Sequence, residues 1–294
     1  MNSRFKDKVA TAVFWAGAIV VIAVLVAMIG YILLQGGRSI SWSFLTEPPE
    51  VIRAGGGIGP QIFNSFYLLL LSMAFTVPTG ILGGVYLSEY AGAGWWTEAI
   101  RLSIETLNSL PSIVVGLFGL LVFVNMTGWG YSLMSGALAL TVINLPLMVR
   151  ITEESVRNVP PGLREASLAL GANSWQTIVK VVLPCAFPGL ISGAVITSGR
   201  VFGEAAALLF TAGMSSPALD FSRWDVFHPA SPLNPFRPAE TLAVHIWKVN
   251  AEGLIPDLRR VADGSAAVLI LIVLGFNLAA RWLGRRIYRR LTAA

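Results

Sequence analysis

Apolar residues gather in long, nearly unbroken blocks, and the polar positions between them form short clusters rather than alternating with a regular period. A membrane-spanning helix takes about 20 predominantly apolar residues. Six blocks reach or approach that length: residues 10–34, 62–87, 111–124, 133–149, 184–213 and 265–283. The third and fourth are short and would borrow flanking residues to cross. The first is too long for a signal-peptide core and no small-x-small cleavage pattern follows it, which predicts a retained helix. The expected fold is all-α, a polytopic membrane protein with six transmembrane helices in one domain, residues 1–294.

Composition agrees. The chain is 55% hydrophobic and 13% charged, with a mean hydropathy of +0.69, whereas globular proteins carry about 25% charged residues. Its net charge of +5 does not build a nucleic-acid surface, because the basic residues stand at the ends of apolar blocks. Arg4, Lys6, Lys8, Arg101, Arg150, Arg157, Arg164, Lys180, Arg281, Arg285, Arg286, Arg289 and Arg290 all fall on the side shared by the two termini. The positive-inside rule assigns that side to the cytoplasm. Cys185 is the single cysteine, which rules out an intrachain disulfide and a cysteine-based metal site.

Glycines spaced small-xxx-small at Gly80/Gly84, Gly189/Gly193 and Gly199/Gly203 predict close helix packing. Pro78 and Pro111 free backbone carbonyls that lipid cannot satisfy, so both should face protein or water. Outside the spans, residues 35–61 include Gly55-Gly56-Gly57, but without a strand–loop–helix context this run is no phosphate cradle. The extracytoplasmic region 214–264 carries six prolines, among them Pro217, Pro229, Pro232, Pro235 and Pro238; connections of that length are commonly functional, and docking of an external partner is expected here. His228 and His245 lie in it without ligand-spaced companions, so no metal site is expected.

One polar stretch interrupts the apolar pattern on the cytoplasmic side. Pro160-Pro161 ends the helix continuing from the fourth span and starts another. Leu163, Ala166, Ser167 and Leu170 then fall at i, i+3, i+4 and i+7 on one helix face. Gly171 stops that helix, and Asn173 or Ser174 caps a second short one that runs toward Leu183. Helix signals alone suit an ordinary cytosolic hairpin. The order Glu165-Ala166-Ser167, three residues, Gly171, nine residues, Val181-Val182-Leu183-Pro184, however, resembles the "EAA" loop of ABC importer permeases, E-A-A-x3-G-x9-I-x-L-P. Ser167 and Val181 depart from it conservatively. The resemblance implies a type I importer permease fold whose loop, residues 150–183, docks a coupling helix on an ATP-hydrolysing subunit. Glu165 would make a polar contact in that groove or brace the loop, Ala166 and Ser167 would allow close approach, and Gly171 the sharp return. No lysine follows a glycine, so a Walker A loop is absent; no cofactor is expected in this chain, and ATP with magnesium would sit on the partner ATPase.

Arg200 and Glu204 interrupt the apolar run "AVITSGRVFGEAAALLF". Intramembrane charges are costly and usually line pathways. At i, i+4 the two would meet on one helix face, either as a salt bridge fixing the bundle or as part of a cavity whose guanidinium fork matches an oxyanion. Four stretches, "TVPTGILGGVYLSEYA", "LPSIVVGLFGLLVF", "LPLMVRITEESVRNVPPGLREASLALGA" and "GRVFGEAAALLFTAG", look like the PstA-type permease subunits of bacterial phosphate importers. That resemblance implies Arg200 and Glu204 in the phosphate pathway and a bacterial plasma (inner) membrane location. It also implies a complex with ATP-binding subunits, a PstC-type permease and an extracytoplasmic phosphate-binding protein. No covalent chemistry is expected in the chain, since no paired acids, histidine cluster or nucleophile–base set appears near a membrane face. Permeases for sulfate, molybdate or phosphonate share the coupling loop and are the nearest alternative; a self-contained channel or carrier would leave that loop unexplained.

Overall fold

The computed structural model describes residues 3–50, 54–253 and 256–292, and among them the only extended pairing is an isolated bridge between Pro49 and Gly56. Among the described residues twelve helices follow one another: α1 (Ser3–Gly37), α2 (Trp42–Thr46), α3 (Gly59–Val85), α4 (Trp95–Ser109), α5 (Ser112–Gly119), α6 (Leu133–Arg157), α7 (Pro161–Ala169), α8 (Ser174–Thr177), α9 (Leu183–Gly203), α10 (Ala206–Leu209), α11 (Leu242–Glu252) and α12 (Leu258–Thr292). Three stretches continue neighbouring helices with π-helical geometry: Tyr86–Tyr90 after α3, Leu120–Met126 after α5, and Ile178–Val182 between α8 and α9. Among the described residues, five helical segments are long and apolar enough to cross a membrane, and six if the bent pair α4–α5 counts as one span.

The bundle is organised around α6. Its buried face carries Leu133, Leu140, Ile143 and Met148, and α3 and α9 both pack against it and against each other. Gly80 and Gly84 bring α3 against Met148 and Thr152, while Gly189 and Gly193 bring α9 against Ser155 and Ile151. The third small-residue pair does not act this way: a Cβ at Gly203 would meet nothing within 4 Å, and one at Gly199 would make only ordinary contact with Asn277. The most apolar helix is α1, and its most apolar 18-residue stretch has no buried residue. It rests on α12 through Gly36, which abuts the Asp263 carbonyl and Ala267.

Four sequence expectations change. The third span is not a lone helix over 111–124; α4 precedes it and the pair bends by 100° across Leu110-Pro111. Pro111, whose φ of −59° and ψ of 135° are unsuited to continuing α4, starts α5 instead. The fifth span does not run unbroken over 184–213, because α9 ends at Gly203 and Glu204 is extended, with φ −77° and ψ 123°. The second short helix does not stop at Pro184: from Ser174 the chain is helical through to Gly203, and Pro184 and Pro188 sit inside this run. Finally, region 214–264 is not all loop, since it contains α11 and the first turns of α12. Pro78 and Pro111 both face outward from this chain.

Candidate functional site

From Pro161 to the Asn173 cap, the hairpin after α6 is built as its residues predict. Pro161 opens α7, and the helix closes in a Schellman turn: the Gly171 N–H donates to Leu168 O at 2.9 Å and the Ala172 N–H to Ser167 O at 3.2 Å. Gly171 takes φ +86°, a conformation costly for any side chain with a Cβ. Asn173 then caps α8 in a reciprocal pair with Gln176, at 2.8 and 3.0 Å. Ser167, the departure from the second Ala of the motif, contributes a hydroxyl bond of 2.9 Å to Thr177 that ties α7 to α8.

No residue of α7 is buried. Leu163, Leu168 and, just past its end, Leu170 are 41%, 49% and 89% exposed, an arrangement that water disfavours and a partner surface would cover. Glu165 and Ala166 are exposed as well. The brace of the loop is not Glu165, which has no partner among the described residues, but Arg164. Its guanidinium donates to Val159 O at 2.6 Å and Val156 O at 2.8 Å, and it pairs with Glu89 at 2.8 Å. Next to it, Glu153 of α6 takes both Arg101 of α4 and Arg157, each at 2.9 Å. Glu89 and Glu153 escape a sequence reading, because their partners lie up to 75 residues away. The available signal was an acidic side chain closing an apolar run on the basic side of the membrane.

Arg200 and Glu204 do not share a helix face. With α9 ended, the Glu204 carboxylate turns forward and accepts from the Ala207 N–H at 3.2 Å, in the first turn of α10. Arg200 is partly buried and has no carboxylate partner among the described residues; its Nη1 donates to Asn108 Oδ1 at 3.4 Å. Asn108 is in the last turn of α4, at the 100° bend. The two interruptions also touch: Gly116 of α5 packs so closely on α10 that a Cβ there would lie 2.8 Å from Ala207 Cα. An uncompensated guanidinium thus sits where two interrupted membrane helices meet.

At the opposite end from α7, the segment between α10 and α11 folds back over the bundle. Met134 and Leu133 N–H groups donate to Pro235 and Arg237 carbonyls at 2.8 and 3.0 Å. Arg237, 3% exposed, donates to Asn64 Oδ1 at 2.8 Å and Pro232 O at 3.0 Å, and burial lowers its pKa to about 10. Glu240 binds His245 Nδ1 at 3.0 Å, Gln61 Nε2 at 3.2 Å and Lys248 at 3.6 Å. His245 is therefore part of a buried polar clamp, beside a cavity of about 600 Å³ lined by Phe221, Pro217 and Lys248.

Burial pushes the Glu240 carboxyl up, but His245, Lys248 and Gln61 together outweigh it and hold the group below its ordinary value of 4.5. A carboxylate with a depressed pKa stabilises the fold above its unfolded pKa, and that contribution is lost as pH falls through the folded value. Glu240→Gln is therefore expected to lower the thermal unfolding midpoint at pH 7, with the gap to wild type closing below about pH 4. A gap that persists unchanged in acid would remove the carboxylate charge from the clamp.

A profile for the family described as "binding-protein-dependent transport system inner membrane component" matches residues 77–293. The chain is 56% identical over 293 residues to the probable ABC transporter permease protein YqgI of Bacillus subtilis, covering 100% of both. To the phosphate transport system permease protein PstA 1 of Mycobacterium tuberculosis it is 32% identical over 284 residues, 95% of this chain and 89% of that one. Among solved structures, it aligns with a chain of a bacterial alginate ABC transporter in complex with an alginate pentasaccharide-bound periplasmic protein. That alignment has a TM-score of 0.68 and 17% identity over 97% of this chain and 96% of the other. At such identity the likeness speaks for the fold alone.

Proposed function

The chain belongs to the binding-protein-dependent transport system inner membrane components, with the all-helical fold of type I ABC importer permeases, and we propose that it is the permease subunit of an ATP-driven importer of inorganic phosphate. The observation that carries the cargo assignment is Arg200, a guanidinium without a carboxylate partner among the described residues, held where α4–α5 and α9–α10 are broken. Transporters build substrate sites at interrupted helices, and a guanidinium fork matches phosphate oxygens. Similarity to phosphate transport permeases over 95% of the chain supports the same ion. Glu204, occupied at α10, leaves Arg200 to the cargo. A PstC-type permease would supply the other half of the pathway and a second cationic group.

Coupling follows from α7. Its exposed leucines, with Glu165 and Ala166, enter a groove on an ATP-hydrolysing subunit. Arg164 joins α7 both to the end of α6 and, through Glu89, to the end of the helix continuing α3. A push on α7 therefore moves two spanning helices that already pack on each other. ATP and magnesium reside on that partner, and this chain performs no covalent chemistry. The termini and α7 face the cytoplasm, following the basic residues, and the folded-back segment at the other end receives the phosphate-binding protein.

The test is uptake of labelled phosphate into proteoliposomes holding this chain, a PstC-type permease, the ATPases and the binding protein. Uptake that requires ATP and resists excess sulfate is expected. Preferential loss to sulfate would reassign the cargo, and flux through this chain alone would overturn the subunit reading. In the same assay Gly171→Val is expected to leave insertion intact but lower phosphate moved per ATP hydrolysed several-fold. A Cβ at Gly171 has open space, so the strain of φ +86°, about 1–3 kcal/mol, acts by reshaping the turn. Unchanged coupling in this variant would count against α7 as the transmission element.

A further inference from the structure

A second cavity, of about 320 Å³, lies between α9 and α12 on the α7 side of the bundle. It plays no part in the pathway or the coupling loop. Pro188, Ile191 and Ser192 of α9 face Arg281, Arg285 and Tyr288 of α12 across it. The two helices run antiparallel, since Gly199 neighbours Asn277 while Gly284 abuts Ile191. A Cβ at Gly284 would lie 2.6 Å from Ile191 Cγ2, so the helices nearly touch there and the cavity is a wedge with a closed floor.

Arg281, Arg285 and Tyr288 occupy i, i+4 and i+7 of α12 and share one face. None of the residues lining the wedge is acidic, and neither arginine has an ion-pair partner among the described residues. A general excess of positive charge at a cytoplasmic helix end needs no wedge; here two guanidinium forks converge on one. The deeper wall is apolar, with Val195 and Ile196, and Ile196 is 51% exposed. Trp282, 61% exposed with Arg286 over its ring at 5.2 Å, marks this level of α12 as the membrane–water boundary.

We propose that this wedge binds the phosphodiester headgroup of an anionic membrane phospholipid, with Arg281 and Arg285 on the phosphate and the acyl chains along Ile191, Val195 and Ile196. Basic pockets between membrane helices recognise such headgroups. A free phosphate ion would gain nothing from the apolar wall, whereas acyl chains fill it. The site is independent of the transported cargo.

The test uses the full chain in its complex, with retained lipid measured by native mass spectrometry after exchange against phosphatidylglycerol, phosphatidylcholine or inorganic phosphate. Wild type is expected to retain phosphatidylglycerol over phosphatidylcholine, and inorganic phosphate should not displace it. R281Q or R285Q alone should weaken retention about 5-fold and the double variant about 30-fold. R281K/R285K should keep most of it. R259Q/R260Q removes the same charge from the other end of α12 and should change nothing. Equal retention by wild type and both single glutamine variants, displacement by inorganic phosphate, or no preference for phosphatidylglycerol in wild type would each overturn the proposal; transport would be unaffected by that failure.

Discussion

Phosphate uptake by Arg200→Ala is expected to fall at least 30-fold with the complex still assembled. Truncating one partner of a desolvated charged contact costs about 2–5 kcal/mol, and about 1.4 kcal/mol is a factor of ten in rate. Little in the resting fold opposes the change. The guanidinium makes one long bond, 3.4 Å to Asn108, and no ion pair among the described residues, so its loss removes few native contacts. Arg200→Lys should land between the two, since the charge survives while the fork is lost. Stimulated ATPase activity, measured beside uptake, separates a lost cargo site from a lost assembly. Wild-type uptake by Arg200→Ala would take the residue out of the pathway.

The second large effect concerns stability. Gly84→Val is expected to abolish recovery of folded protein. At this position α6 lies so near that a Cβ would overlap Thr152 Cβ and come within 2.7 Å of Val149 O. Thr152 is completely buried, and neither a backbone carbonyl nor a β-branched side chain can swing aside. Overpacking of a rigid core costs about 1–3 kcal/mol and occasionally more. Here it would separate α3 from α6, the central contact of the bundle. Gly17→Val on α1, where nothing lies within 4 Å, is the matched control and should leave recovery unchanged. Size-exclusion profiles of the detergent-extracted complex measure both; a monodisperse Gly84→Val peak at wild-type yield would contradict the close α3–α6 packing.

What the sequence shows and what it hides divide along physical lines. α1, α3, α6 and α12 are legible because each keeps a long apolar face that no other environment tolerates. α4 is not, because Glu98, Arg101 and Glu105 break every apolar window, although its 15 residues form a continuous helix. The break after Gly203 is hidden for the opposite reason. Glu204 to Leu209 are good helix formers, and what stops them is tertiary, the packing of α10 against α5 at Gly116. Within the hairpin of α7 and α8 the local signals at Pro161, Gly171 and Asn173 were sufficient, since each acts on its own backbone. The Arg164–Glu89 brace was beyond reach, because a pairing across 75 residues leaves no periodicity behind. The clamp of Arg237, Asn64, Glu240 and His245 is likewise a long-range construction, and the two histidines on their own gave no hint of it.

The seat of α1 on α12 bears on how the chain matures. Gly36 finds the Asp263 carbonyl only after the intervening polypeptide has been translated, which at about 5–20 residues per second takes some 10–45 s. During that interval the first helix must persist as a lone inserted segment. Its unbroken apolar surface lets lipid serve as its neighbour until the last helix leaves the ribosome.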